Sequence, residues 1–232
     1  FIVVAFRMLP KEVWSIPKYG TFNIHGSLLP QYRGAAPINW AIINGETKTG
    51  VTSFFIDDKI DTGATLLYKE CTIGENENVG TIHDRLMYLG AELATETCDA
   101  IFNKSVNPKI QTVSTNLKEA PKLFKDNCRI NWLNDTQTIH NHIRGLSPYP
   151  VAWTKFVQIN TEDLLMKIHK STHTICEHDK QATEIEITKT ELKIYTRNGY
   201  INVLEIQAPG KKKMDIRSFL NGYTLSTETK AC

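Results

Sequence analysis

The chain has 232 residues, 41% of them hydrophobic and 22% charged, with a formal net charge of +2. These values exclude a disordered segment, a collagen-like repeat and a disulfide-dense scaffold, and the length allows one large domain or two small ones. No apolar run approaches the roughly 18 residues of a membrane-spanning helix, and five widely spaced cysteines without a CxxC pair read as reduced thiols of a cytoplasmic protein.

Phe1–Ala5 is a continuous apolar run of the kind a parallel strand buried on both faces shows. It opens the chain with nothing before it to pair with, no signal peptide and no initiator Met, so the sequence reads as a piece of a longer chain. Lys11–Ile16 fits one or two helical turns, and Thr21–Ile24 a second strand. Residues 26–34 form a loop punctuated by Gly26, Pro30 and Gly34. Pro37 suits the first turn of a helix over Pro37–Asn44, which Gly45 ends. Val51–Ile56 and Leu66–Cys71 read as strands joined by the acidic loop Asp57–Gly63. The clearest helix runs from Val79 to Asn103, with Val79, Ile82, Leu86, Leu89, Leu93 and Ile101 at helical spacing and Asn78 as its N-cap. This order predicts an α/β domain over residues 1–108.

From Asn107 the pattern breaks, and residues 109–126 read as a linker. Residues 127–232 begin with a short helix capped by Asp135, with Ile139, Ile143 and Leu146 on its apolar side. Five short alternating runs follow: Val151–Val157, Leu164–His169, Glu184–Ile187, Leu192–Thr196 and Ile201–Ile206. Asn198-Gly199 is a hairpin signal, and Asp215–Leu220 a closing helical turn ended by Gly222. This is the pattern of a small β-barrel. Residues 1–117 carry 10 basic and 12 acidic side chains, and residues 118–232 carry 17 and 13, so the positive charge falls on the second half. That balance is compatible with a polyanionic partner there and equally with an ordinary solvated surface.

Asn23 and His25 are two apart on an expected strand and so share a face. An amide donor beside an imidazole suits the stabilisation of a developing oxyanion. Gly26 lets a substrate approach the backbone, and a carboxylate such as Asp61 can orient an imidazole, favour its charged form, or help move a proton from an attacking amine. Taken singly, each has a bland reading: N-x-H is common, Asp-Thr-Gly is usually a turn, and Arg33 can be a solvated loop charge.

Together, Asn23-x-His25-Gly26-Ser27-Leu28-Leu29-Pro30, Tyr32-Arg33-Gly34-Ala35-Ala36-Pro37-Ile38, Gly50-Val51-Thr52 and Ile60-Asp61-Thr62-Gly63 resemble the signature of the folate-dependent formyltransferases. The resemblance extends through Val3–Pro10, Ile130–Trp132, Ile143–Trp153 and Gly210–Gly222, and is strongest to the branch that formylates methionyl initiator tRNA for translation initiation. It implies a partial Rossmann-like domain with a parallel sheet, lacking its N-terminal part, followed by an OB-like barrel. It implies 10-formyltetrahydrofolate as co-substrate, no metal, no membrane, and a monomer acting in the cytoplasm. The implied catalytic set is Asn23, His25 and Asp61. Folate would lie along Phe6, Arg7, Met8 and Leu9 and the loop Ser27, Leu28, Leu29 and Pro30. Transfer RNA phosphates would meet Arg33, Lys122, Lys125, Lys211, Lys212 and Lys213. The chain departs from the family pattern at Lys59, where a glycine is frequent.

Other readings compete. A formyltransferase acting on a nucleotide-linked aminosugar would keep the same trio and a second domain. A glycinamide-ribonucleotide enzyme or a formyl-folate hydrolase fits the trio but not the second domain. A non-catalytic RNA-binding barrel would have no use for the trio. His169, His173, Cys176 and His178 form a weak metal pattern, lacking CxxC or HxxH support. Trp132 and Trp153 read as core residues rather than base-stacking platforms.

Overall fold

The computed structural model describes residues 1–4, 9–112, 116–158, 162–226 and 228–232. The chain divides into two compact units, the first made of residues 1–41, 46–77 and 81–122, the second of 42–45, 78–80 and 123–232.

In the first unit, β1 (Ile2–Val3), α1 (Lys11–Trp14), β2 (Phe22–His25), β3 (Arg33–Gly34), α2 (Pro37–Ile43), β4 (Lys48–Phe55), β5 (Thr65–Thr72), α3 (Val79–Phe102) and β6 (Glu119–Ala120) follow in order. The main sheet runs β1-β2-β4-β5. β1 is parallel to β2, whereas β2–β4 and β4–β5 are antiparallel, so its described part is mixed rather than wholly parallel. The strand that runs against the others is β4; the short loop after it turns the chain back, so that β5 again runs in the direction of β1 and β2. β4, between β2 and β5, is buried along nearly its whole length. The α3 face bearing Ile82, Leu86, Leu93 and Thr97 is buried, and Thr97 Oγ1 donates to Ser53 Oγ of β4 at 2.9 Å.

Residues 109–122 belong to this unit. Lys109 exchanges backbone hydrogen bonds with Thr65, and β6 pairs in parallel with β3. Gly34 has a φ of +125°, and a Cβ there would lie 2.4 Å from the Ala120 carbonyl oxygen, so the close pairing of β3 with β6 needs glycine.

The second unit opens with α4 (Thr136–Gly145), whose N-cap Asp135 accepts from Thr138 N at 2.8 Å. β7 (Ala152–Val157), β8 (Leu164–Ile175), β9 (Ile185–Ile187), β10 (Leu192–Tyr195), β11 (Gly199–Gln207), β12 (Met214–Asp215), α5 (Ile216–Gly222) and β13 (Lys230–Ala231) complete it. The sheet order is β13-β7-β8-β11-β10-β9, all antiparallel, with β12 on β11. Ala231 N donates to Thr183 O and Glu184 bridges to Lys230, which brings the two ends of the sheet together into a nearly closed barrel. β8 continues to Ile175, past the expected end at His169, because its polar outer half pairs with β11 as far as Gly199. Phe156, Met166, Ile168, Ile194, Ile201 and Val203 fill the interior with Ile139 and Ile143 of α4 and with Leu146, which follows it. Trp132 is buried with its indole N–H on Thr154 Oγ1, while Trp153 lies half-buried beneath the Lys125 and Arg129 cations. No described helix is long and apolar enough to cross a membrane.

Candidate active site

The first unit gathers its polar chemistry at the end of β2. Asn23 and His25 are 5% and 6% exposed and lie opposite Phe54 and Thr52 of β4. Beyond His25 the chain folds back over β4. Thr52 Oγ1 donates to Ser27 O at 2.7 Å and accepts from Leu29 N at 3.1 Å, and Ser27 Oγ donates to Gln31 O. This brings round Tyr32, whose φ is +61°, so that its carbonyl meets His25 Nε2 at 2.8 Å. A carbonyl only accepts, so Nε2 carries a hydrogen. Nδ1 faces Asp61 Oδ2 at 3.7 Å, and the Phe54 ring stands edge-on to the imidazole.

Asp61 also has a left-handed backbone, with φ +55°. For residues with a Cβ this costs about 1–2 kcal/mol each. Two such residues on opposite sides of one imidazole mark a geometry that the surrounding bonds over-determine. Asp61 Oδ2 accepts from Gly34 N at 2.9 Å. Asp57 carries the turn before it, its carboxylate accepting from Lys59 N and Thr62 Oγ1. Lys59, the departure from the family pattern, enters this turn through backbone atoms, its N–H on Asp57 Oδ1 and its carbonyl 3.4 Å from Thr62 Oγ1. Gly63 closes it, since a Cβ there would fall 1.7 Å from Phe55 O.

Asn23 Oδ1 is buried without a hydrogen-bond partner. An unmet buried acceptor costs about 1–3 kcal/mol. A bound molecule with an N–H or O–H group would relieve that cost, and the amide's other end can donate to an oxygen. The site can therefore hold an amine and a carbonyl oxygen side by side, with His25 and Asp61 adjoining.

The structure thus brings Asp61 to His25, with Asn23 two residues before His25 on the same strand. Ser27 is fully buried, and Leu28, Leu29 and Pro30 are half-buried in the loop that follows. Leu9 is half-buried, and Phe6, Arg7 and Met8 lie outside the described residues. Arg33 donates through Nε and Nη2 to Gln111 Oε1, at 3.1 and 2.6 Å. Lys122 is exposed in the first unit; Lys125, Lys211, Lys212 and Lys213 are exposed in the second. Lys213 pairs with Glu205 at 2.7 Å, and Lys125 lies 5.6 Å from the centre of the Trp153 ring. Of the other histidines in the weak metal pattern, His169 Nε2 meets Gln207 Oε1 and His173 stacks on His140, while His178 lies edge-on to Tyr195 with both ring nitrogens buried and without a hydrogen-bond partner. Among the described residues no group of three or more His, Cys, Asp or Glu could hold a metal ion.

Two groups around the site had no signal in the sequence. Glu46 Oε1 accepts from Tyr32 Oη and from Lys118 Nζ, both at 2.6 Å, which anchors the residue whose carbonyl holds His25. Burial acts to raise the Glu46 carboxyl, but the bonds from Lys118 and Tyr32 outweigh it and hold the group below its usual range. Gln111 is the second, lying in a segment expected to be a linker.

The chain is similar to known proteins over both units. A family model described as formyl transferase matches residues 1–98, and one described as formyl transferase, C-terminal domain, matches residues 122–224. A methionyl-tRNA formyltransferase of Flavobacterium johnsoniae is 53% identical over 229 residues, covering 99% of this chain and 72% of the relative. Among solved structures, an N-formyltransferase of Helicobacter canadensis in complex with folinic acid and dTDP-3-aminofucose is similar, with 26% identity and a TM-score of 0.61 over 78% of this chain and 64% of that one. HypX of Aquifex aeolicus in complex with tetrahydrofolic acid shares the fold, with a TM-score of 0.68 and 21% identity over 94% of this chain and 38% of that one.

Proposed function

The chain belongs to the formyl transferase family, and on that premise we propose that it transfers the formyl group of 10-formyltetrahydrofolate to the α-amino group of methionyl initiator tRNA. The observation that carries this reading is the 53% identity to a methionyl-tRNA formyltransferase over 99% of the chain, barrel unit included. The aminosugar alternative is favoured by the Helicobacter structure, but at 26% identity and less coverage.

In this reading the amine attacks the formyl carbon, the bond from that carbon to the folate nitrogen breaks, and the proton lost by the amine is taken up by the leaving nitrogen. Asn23 donates to the formyl oxygen as negative charge builds there, while its buried Oδ1 accepts an N–H of the amine. The Nε2–H of His25 is held by the Tyr32 carbonyl. A formyl oxygen gaining charge is a stronger acceptor than that carbonyl and competes for the same hydrogen. Asp61 orients the imidazole and assists proton transfer from the amine. The buried Ser27 and the Leu28–Pro30 loop shape the folate side together with Phe6–Leu9. The exposed Lys122, Lys125, Lys211, Lys212 and Lys213 meet tRNA phosphates, which position the acceptor without specifying it. Arg33 joins them only through N–H groups that Gln111 does not occupy. Catalytic residues occupy 1–108, a connecting segment 109–126 and the tRNA-holding barrel 127–232, and the reaction takes place in the cytoplasm.

The test supplies 10-formyltetrahydrofolate and offers methionylated initiator tRNA and a nucleotide-linked aminosugar in parallel. Formyl-methionine on the tRNA is expected. Formylation of the sugar alone would overturn the substrate assignment. His25→Ala is expected to abolish transfer and leave tRNA affinity unchanged; loss of affinity with transfer retained would place the barrel, not the trio, at the centre of function.

A further inference from the structure

We propose that Gln111 is a positioning residue for the reaction, clamping the Asp61 loop to the strand that holds the Asp61 carboxylate. The inference deepens the formyl-transfer reading and rests on it for the catalytic role of Asp61.

Gln111 Nε2 donates to Asp61 O at 3.0 Å and to Gly63 O at 2.7 Å. Its Oε1 accepts from Arg33 Nε and Nη2. Both donor hydrogens and both acceptor sites of the amide are thus used, a fully satisfied side chain. The orientation of the amide follows from its partners. Turned over, it would set –NH2 against a guanidinium that only donates and its oxygen against two carbonyls that only accept, losing all four bonds.

The placement of these bonds gives them their consequence. Asp61 reaches the imidazole from a left-handed turn, and its Oδ2 is held by the N–H of Gly34, the residue next to Arg33. Gln111 therefore grips the site twice: at the backbone on either side of Thr62, and at the residue preceding the N–H donor to the carboxylate. Its own backbone is held nearby, because Lys109 pairs with Thr65 just past the loop. Without the clamp the turn is free to relax toward an unstrained φ, which would carry the carboxylate away from His25 Nδ1.

Gln111→Glu and Gln111→Met separate this role from simple packing. Glu keeps the acceptor for Arg33 but sets a carboxylate oxygen against two carbonyls; Met keeps the length and removes every bond. In both, kcat is expected to fall about 10–100-fold at temperatures well below unfolding, the effect of a catalytic group displaced by a fraction of an ångström to about 1 Å, while KM for folate and tRNA stays within threefold. The second readout is independent of turnover. With 15N-labelled histidine, the His25 ring-nitrogen chemical shifts at one fixed pH are expected to move in both variants, which a purely structural role would leave in place. The assignment is overturned by unmoved His25 shifts in a folded variant, or by kcat within twofold of the parent. An inactive parent would sink the formyl-transfer reading instead, and the ring-nitrogen shifts would still decide whether Gln111 positions the pair.

Discussion

Replacing Gly63 with alanine should disable catalysis out of proportion to its effect on stability. The added Cβ would stand 1.7 Å from Phe55 O and 2.9 Å from Phe55 C, and real Cβ contacts essentially never fall below 3.0 Å. Both neighbours are backbone atoms of central strand β4, so neither can swing aside. The loop must instead retreat by at least 1.3 Å, the difference between 3.0 and 1.7 Å. Asp61 is two residues away and Gln111 is bonded to Gly63 itself, so that retreat breaks the clamp and draws Oδ2 from Gly34 N and His25. A misplacement of about 1 Å costs about 10²-fold in rate, whereas overpacking at one site costs about 1–3 kcal/mol of stability. Steady-state transfer kinetics beside urea unfolding would show it: kcat down about 100-fold in a protein that remains folded. A variant with kcat within threefold of the parent would refute the claim that this loop's position sets the rate.

Asn23→Leu is expected to lower kcat about 10²–10³-fold, the usual loss for one oxyanion donor, while raising the melting temperature slightly because the orphaned Oδ1 is gone; calorimetry and kinetics on one preparation check both signs. Asp135→Ala removes the N-cap of α4 and should cost about 1 kcal/mol in denaturant unfolding. Phe156→Ala, at a fully buried barrel position, should cost about 3–5 kcal/mol. The Glu46 carboxyl is held below its ordinary value of 4.5 in the fold, so its contribution is complete above that pH and disappears as pH falls through the lowered folded value. Glu46→Gln should therefore flatten the acid side of the stability curve below about pH 4.5, measured by urea midpoints across pH; an unchanged acid slope would contradict the Lys118–Glu46–Tyr32 arrangement.

Much of this chain was legible before any tertiary contact was known. Helical spacing located α3, the turn residues located the barrel strands, and Asp135 caps its helix as its position suggested; the expected closing turn at Asp215 is a helix for which Asp215 is the N-cap. These are local signals, written over three to eight neighbouring residues by backbone geometry, and they survive into the fold. The grouping of Asn23 with His25 was likewise local, since a strand puts alternate residues on one face. What sequence spacing could not decide was the meeting of distant polar groups. The sheet's described part is mixed because β4 runs opposite to both of its neighbours, β2 and β5. Within the stretch expected to be a linker, Lys109 pairs with Thr65 of β5 and Glu119–Ala120 with Arg33–Gly34 of β3, so backbone groups there found partners across the unit. Arg33, read as a phosphate contact, spends two donors on Gln111, 78 residues away. Tyr32 presents its carbonyl, an atom every residue carries, to His25. Hydrophobic periodicity records which face is buried, but hydrogen bonds between residues far apart in the chain leave no periodic trace. The residue types that do the chemistry were therefore written in the sequence, and the distances that let them act together were decided only by the fold.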